Sequence, residues 1–137
     1  MNKKIRMGRV AALVCGVMIA SVASAGDVVV VMGASAAPLS KDQVANVYLG
    51  KNADLKPVDL PESSATRQDF YKKATDRDAA QVKAVWARLT FTGGGQPPKE
   101  MADAAAVKKA VSADPKTVGY IDKADVDSSV KVVLALN

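Results

Sequence analysis

The sequence predicts an α/β domain with a mixed or largely parallel sheet flanked by helices. Three observations carry that expectation. "DVVVVMG" (27–33) is an unbroken apolar, β-branched run ending in glycine, which reads as a strand covered on both faces. Several other stretches place apolar residues at helical spacing behind clear cap signals. Strand and helix candidates then alternate along the chain instead of falling into blocks.

After the first strand, "ASAAP" is a loop of small residues. "LSKDQVANVYLGK" (39–51) carries full helix punctuation. Ser40 is the N-cap, and Gln43 three residues on completes a capping box. Leu39 and Val44 are placed for a hydrophobic staple. Val44, Val47 and Tyr48 recur at helical spacing, and Gly50 supplies a left-handed stop. "KPVDL" (56–60) is a short strand ended by Pro61. A helix is expected from about Ala65 to Ala74, with Phe70 and Ala74 on one face and Lys72 and Lys73 in its last turn.

Asp78 and Gln81 have capping-box spacing and open the next helix, where Val82, Val85, Trp86 and Leu89 form the apolar stripe. That helix ends near Thr90, and "TGGGQPP" (92–98) reads as a flexible loop. Asp103 caps a helix reaching Ala113, with Val107, Ala110 and Val111 inward, and Asp114-Pro115 stops it. "TVGYI" (117–121) and "VKVVLAL" (130–136) are the last two strands.

The first 25 residues have the form of a secretory signal peptide. Lys3, Lys4, Arg6 and Arg9 make a basic start, "VAALVCGVMIASV" (10–22) an apolar stretch, and "ASA" (23–25) a small-x-small cleavage signal. The expected organisation is a cleaved signal at 1–25 and one domain at 26–137, exported to the periplasm with no membrane insertion afterwards; a retained anchor is the alternative. Cys15 falls inside the apolar stretch with no small residue immediately before it, so it belongs to the signal and not to a lipoprotein site. The remaining chain then offers no thiolate chemistry.

Removing the signal changes the charge argument. The whole chain has 19 basic and 14 acidic residues, and the four basic residues of the signal leave 15 against 14. That near balance gives no support to nucleic-acid binding. There is no histidine, which excludes a serine hydrolase with a histidine base and leaves a zinc site only carboxylates, an unusual set. No cofactor is expected and no catalytic constellation stands out.

One stretch invites a binding role. "LPESSATRQDFYKK" (60–73) sets hydroxyl groups and an arginine at a helix start. Such a start leaves backbone N–H groups unpaired and carries partial positive charge, so it favours an anion. Ser64 and Thr66 can donate hydroxyls, Ala65 and Arg67 offer backbone N–H groups, and the Arg67 side chain can add a charge-assisted contact. The bland alternative is an ordinary cap, since serine and threonine are common there and Thr66 with Asp69 has capping-box spacing. Other candidates are weaker. "TGGGQPP" lacks the pattern of a nucleotide loop. Asp122, Asp125 and Asp127 lack the glycine and terminal glutamate of a calcium loop and read as a solvated turn. Trp86 reads as core.

"LSKDQVANVYLGK", "VDLPESSATRQDFY", "FTGGGQPP" and "TVGYID", in this order, resemble the phosphate-binding proteins of ABC importers, most closely their small single-domain members. The resemblance spans about residues 27–136. It implies a single lobe of the periplasmic-binding-protein type, phosphate or a similar oxyanion as ligand, and an ABC permease or a second copy of the chain as partner. The second segment falls where that family opens a helix with an aspartate-glycine-serine-glycine-threonine motif. The implied phosphate contacts are Ser64, the Ala65 backbone and Thr66, with Glu62 near the family's aspartate as a proton acceptor. Ser35 aligns with no family ligand.

Two features depart from the pattern. Leu60 stands where the family often has an arginine, leaving Arg67 as the substitute. The chain also has residues for only one of two lobes. An anion left open to water and held by a few charge-assisted bonds, each worth roughly 1.5–3 kcal/mol before ordering costs, reaches only about millimolar affinity. A module that keeps the lobe fold for interaction or sensing, without tight ligand capture, is the alternative reading.

Overall fold

The computed structural model describes residues 27–136, so the expected signal peptide lies outside the described residues. Strand β1 (Val28–Met32) is buried along its whole length and sits between two neighbours in a five-stranded sheet. The other strands are β2 (Lys56–Asp59), β3 (Lys99–Glu100), β4 (Thr117–Asp122) and β5 (Lys131–Leu136). Their order across the sheet is β3-β2-β4-β1-β5. β1 runs antiparallel to β4, with Val30 opposite Tyr120, and antiparallel to β5, where the register shifts between Val30 and Val31. β2 runs parallel to both β3 and β4. The sheet is therefore mixed, as expected. β3 is an addition, two residues just beyond the stretch at 92–98 read as a flexible loop.

Among the described residues four α-helices cover the sheet: α1 (Lys41–Tyr48), α2 (Ala65–Thr75), α3 (Ala79–Phe91) and α4 (Ala104–Ala113). The expected caps are in place. Ser40 with Gln43 and Asp78 with Gln81 form complete capping boxes, and Asp103 accepts from the Ala106 N–H. α1 ends in a Schellman arrangement: Gly50, at φ +79°, donates to the Val47 carbonyl, and Lys51 donates to that of Asn46. A side chain at Gly50 would also run into Leu89, whose Cδ1 would lie 2.6 Å from the added Cβ.

β4 decides which helix lies on which face. Because side chains alternate along a strand, Gly119 and Tyr120 point to opposite sides. Gly119 faces α4 so closely that a Cβ there would stand 2.5 Å from Val107 Cγ1. Tyr120 faces α2, where its ring stacks on Phe70 at 3.9 Å. Tyr48 and Tyr71 complete this aromatic cluster by edge-on contacts, so all three tyrosines of the chain meet there. The buried Tyr48 hydroxyl donates to the Val58 carbonyl at 2.7 Å, tying α1 to β2, and the Trp86 indole donates to the Tyr48 carbonyl at 2.8 Å, tying α3 to α1. Trp86 is core, as its spacing implied.

β5 is the outer strand on its side. The loop after β1 folds along it: the Leu39 N–H donates to the Val133 carbonyl at 2.9 Å, and Lys131 Nζ donates to the Ala36 carbonyl at 2.6 Å.

Candidate functional site

Pro61 ends β2, and the chain turns through Glu62 and Ser63, with the Ser64 N–H donating to the Pro61 carbonyl at 2.9 Å. Ser64 then caps α2. Its backbone is extended (φ −74°, ψ 126°), as an N-cap requires, and its Oγ accepts the Arg67 N–H at 3.2 Å. The cap is thus Ser64, while Thr66 and Asp69 lie inside the helix. The Ser64 carbonyl accepts from Gln68. Of the four N–H groups that a helix start leaves open, those of Ser64 and Arg67 are taken; those of Ala65 and Thr66 have no partner among the described residues.

Arg67, Phe70, Tyr71 and Ala74 share the inward face of α2, so Arg67 is buried with its aromatic neighbours. Its Nη1 donates to the Leu60 carbonyl at 2.8 Å and lies 3.4 Å from Glu100 Oε2 on β3. Its Nε lies 3.7 Å from Asp59 Oδ1, an ionic contact rather than a hydrogen bond. The guanidinium also lies 5.7 Å from the centre of the Tyr71 ring.

Asp59, the last residue of β2, is the hub beneath this helix. It is 3 % exposed. Tyr120 donates its hydroxyl to Oδ1, Tyr71 donates to Oδ2 at 2.5 Å, and the Leu60 N–H donates to Oδ1 at 3.0 Å. Burial pushes the Asp59 carboxyl above its usual range, against the opposing pull of the two hydroxyls and of Arg67. The Tyr71 and Tyr120 hydroxyls are pushed well up, first by burial and then by the Asp59 charge, so both stay protonated donors.

Of the residues proposed from sequence, Ser64, Ala65, Thr66 and Arg67 come together at the start of α2. Glu62 stands on the preceding turn, exposed, and pairs with Lys83 of α3 at 3.1 Å. Two clefts of about 510 Å³ each adjoin this region, and Glu62, Arg67 and Lys83 line both. Ser64, Ala65 and Thr66 line neither of these two. The more apolar of the two clefts runs between α2, α3 and the segment at Pro97-Pro98, with Asp59, Tyr71 and Glu100 along its polar side.

Sequence reasoning passed over Asp59, Tyr71, Tyr120 and Glu100. The signal was present for two of them. Asp59 stands between Val58 and Leu60 in a strand, and Tyr71 follows Arg67 by one helical turn. Among the described residues no group of acidic or sulfur side chains is placed to hold a metal. Of the three aspartates near the chain end, Asp122 caps a turn at Ala124, while Asp127 pairs with Lys108 at 2.8 Å. No helix among the described residues is long and apolar enough to cross a membrane.

No protein-family model matches the chain, and no curated protein matches it in sequence. Solved structures do share its fold. An ABC-type phosphate transport receptor from Vibrio cholerae superposes with a TM-score of 0.60 at 20% identity, over 77% of this chain and 44% of the receptor. A phosphate ABC transporter substrate-binding protein from Clostridium perfringens, solved with bound phosphate, gives 0.62 at 18% identity, over 77% and 43%. PstS from Borrelia burgdorferi gives 0.56 at 9% identity, over 78% and 46%. The chain spans less than half the length of each of these receptors, and its fold is that of one part of them.

Proposed function

We propose that this protein binds phosphate or a similar oxyanion, without catalysis, at the N-terminus of α2. One observation carries the reading: the N–H groups of Ala65 and Thr66 stand open at the start of a helix, in a fold shared with phosphate receptors. Ser64 caps the helix through its oxygen lone pair, so its hydroxyl proton stays available to the anion, as does that of Thr66. Glu62 would take a proton from a protonated anion, and the Arg67 charge lies behind the helix start. Export by the 1–25 signal, a periplasmic location, and service to an ABC permease complete the proposal.

The burial of Arg67 favours a second reading. Its guanidinium is already engaged by Leu60, Asp59 and Glu100, which leaves little charge for an anion and suits a lobe kept for interaction or sensing. An amide-resolved NMR titration with phosphate separates the two. The first reading expects the Ala65 and Thr66 amides to shift with a dissociation constant near millimolar, and Ser64→Ala to weaken the response. Unmoved amides at tens of millimolar phosphate favour the second.

A further inference from the structure

The polar partners of Arg67 differ in how firmly the fold holds them. The Leu60 carbonyl, 2.8 Å from Nη1, belongs to the main chain. Asp59 is 3 % exposed and is fixed by hydrogen bonds from Tyr71, Tyr120 and the Leu60 N–H. Glu100 is held far less. Its side chain is 54 % exposed, and its contact with Nη1 is long, at 3.4 Å. No second hydrogen bond or ion pair restrains it among the described residues. It stands on β3, the two-residue strand at the edge of the sheet. The Met101 N–H, donating to the Asp59 carbonyl at 2.7 Å, pins the backbone there, so a departure of Glu100 from Arg67 is a side-chain movement alone.

We propose that Glu100 sets the affinity of the oxyanion site as an internal competitor: its carboxylate takes up Arg67 until an oxyanion arrives, then turns out to solvent. Two carboxylates, Asp59 and Glu100, face one guanidinium. While Glu100 stays, the surplus negative charge repels an incoming anion. Once it leaves, Arg67 is set against Asp59 alone and its field no longer opposes the anion. The exchange is easy, because a half-exposed ion pair contributes little. It is also chemically matched, since a carboxylate and a phosphate present the same kind of oxygen pair to a guanidinium. The inference rests on the oxyanion reading above and adds to it the residue that tunes the site.

Titration with inorganic phosphate, followed by NMR at the Ala65 and Thr66 amides, tests it on wild type, Glu100→Gln and Asp103→Asn. Glu100→Gln removes the competing charge and should bind phosphate at least about threefold more tightly. Asp103→Asn removes an equal charge at the α4 cap, where the side chain accepts the Ala106 N–H, and should change affinity less than about twofold. In wild type the Arg67 Nε–Hε resonance should shift with the same midpoint as the amides, as Glu100 departs. Wild type that binds phosphate while Glu100→Gln binds no more tightly overturns the competitor and leaves the oxyanion site standing. An Arg67 resonance that stays still while the amides shift does the same. An equal gain in Asp103→Asn overturns it too, because net charge alone then explains the effect. If neither wild type nor Glu100→Gln binds at tens of millimolar phosphate, site and competitor fall together.

Discussion

Asp59→Ala is the most informative single change. It leaves the Tyr71 and Tyr120 hydroxyls without their buried acceptor and removes the carboxylate facing Arg67. Each stranded buried donor costs about 1–3 kcal/mol. Breaking a buried ion pair by deleting one partner costs about 3–5 kcal/mol. Loss of the desolvation burden that raises the Asp59 pKa offsets part of this. The expected net destabilisation is about 3–5 kcal/mol, a large share of the roughly 5–15 kcal/mol that holds a domain of this size together. It should lower the melting temperature, followed by circular dichroism, by about 12 °C or more. Tyr71→Phe is the graded control: it removes one hydrogen bond and strands no donor, so it should cost about 1.5–3 kcal/mol. The double variant should lose less than the sum of the two, since the residues share a bond. An Asp59→Ala protein that melts within a few degrees of wild type would refute the view of Asp59 as the hub of a buried network.

The same residue gives a pH signature. Its folded pKa lies above the ordinary aspartate value of about 3.9, so its contribution to stability is full below that value and is lost as pH rises through the raised one. The stability of wild type relative to Asp59→Asn, measured by urea unfolding, should therefore fall as pH rises from about 4. Gly119→Ala should cost about 1–3 kcal/mol by overpacking, because the new Cβ meets Val107 and Val58; chemical denaturation reads this. Gly50→Ala should cost at least about 1 kcal/mol in the same assay, since it forces a side chain into a left-handed position and against Leu89. Asp127 is held below the usual carboxylate range, chiefly by its hydrogen bond from Lys108. Lys108→Ala should move its NMR titration midpoint up toward that of a free aspartate.

The helix starts were legible because their caps are local. Ser40, Asp78 and Asp103 need only a neighbour three residues away to act. The burial of β1 was legible too, since four valines in a row must be covered on both faces whatever direction the neighbouring strands take. That direction was not: the antiparallel pairing with β4 and β5 depends on segments some ninety or more positions away. The same limit explains the candidate site. The stretch from Glu62 to Arg67 drew notice as a contiguous motif. Its buried support did not, because Asp59, Tyr71, Glu100 and Tyr120 come from four separate elements and meet only when the sheet assembles. The Arg67 side chain reads from sequence as a charged contact for an anion because it is an arginine at a helix start; its helical spacing with Phe70, Tyr71 and Ala74 places it inward.

The loop that lies along β5 has a consequence for life in solution at high concentration. An outermost strand presents a row of peptide groups that can template a strand from another molecule, the first step toward stacking into fibres. Here the Val133 carbonyl is occupied by Leu39, and Lys131 puts a charge at the start of the strand. Residues that look like a mere connection between β1 and α1 thus act as a hem on the sheet, one that keeps neighbouring molecules from being stitched to it.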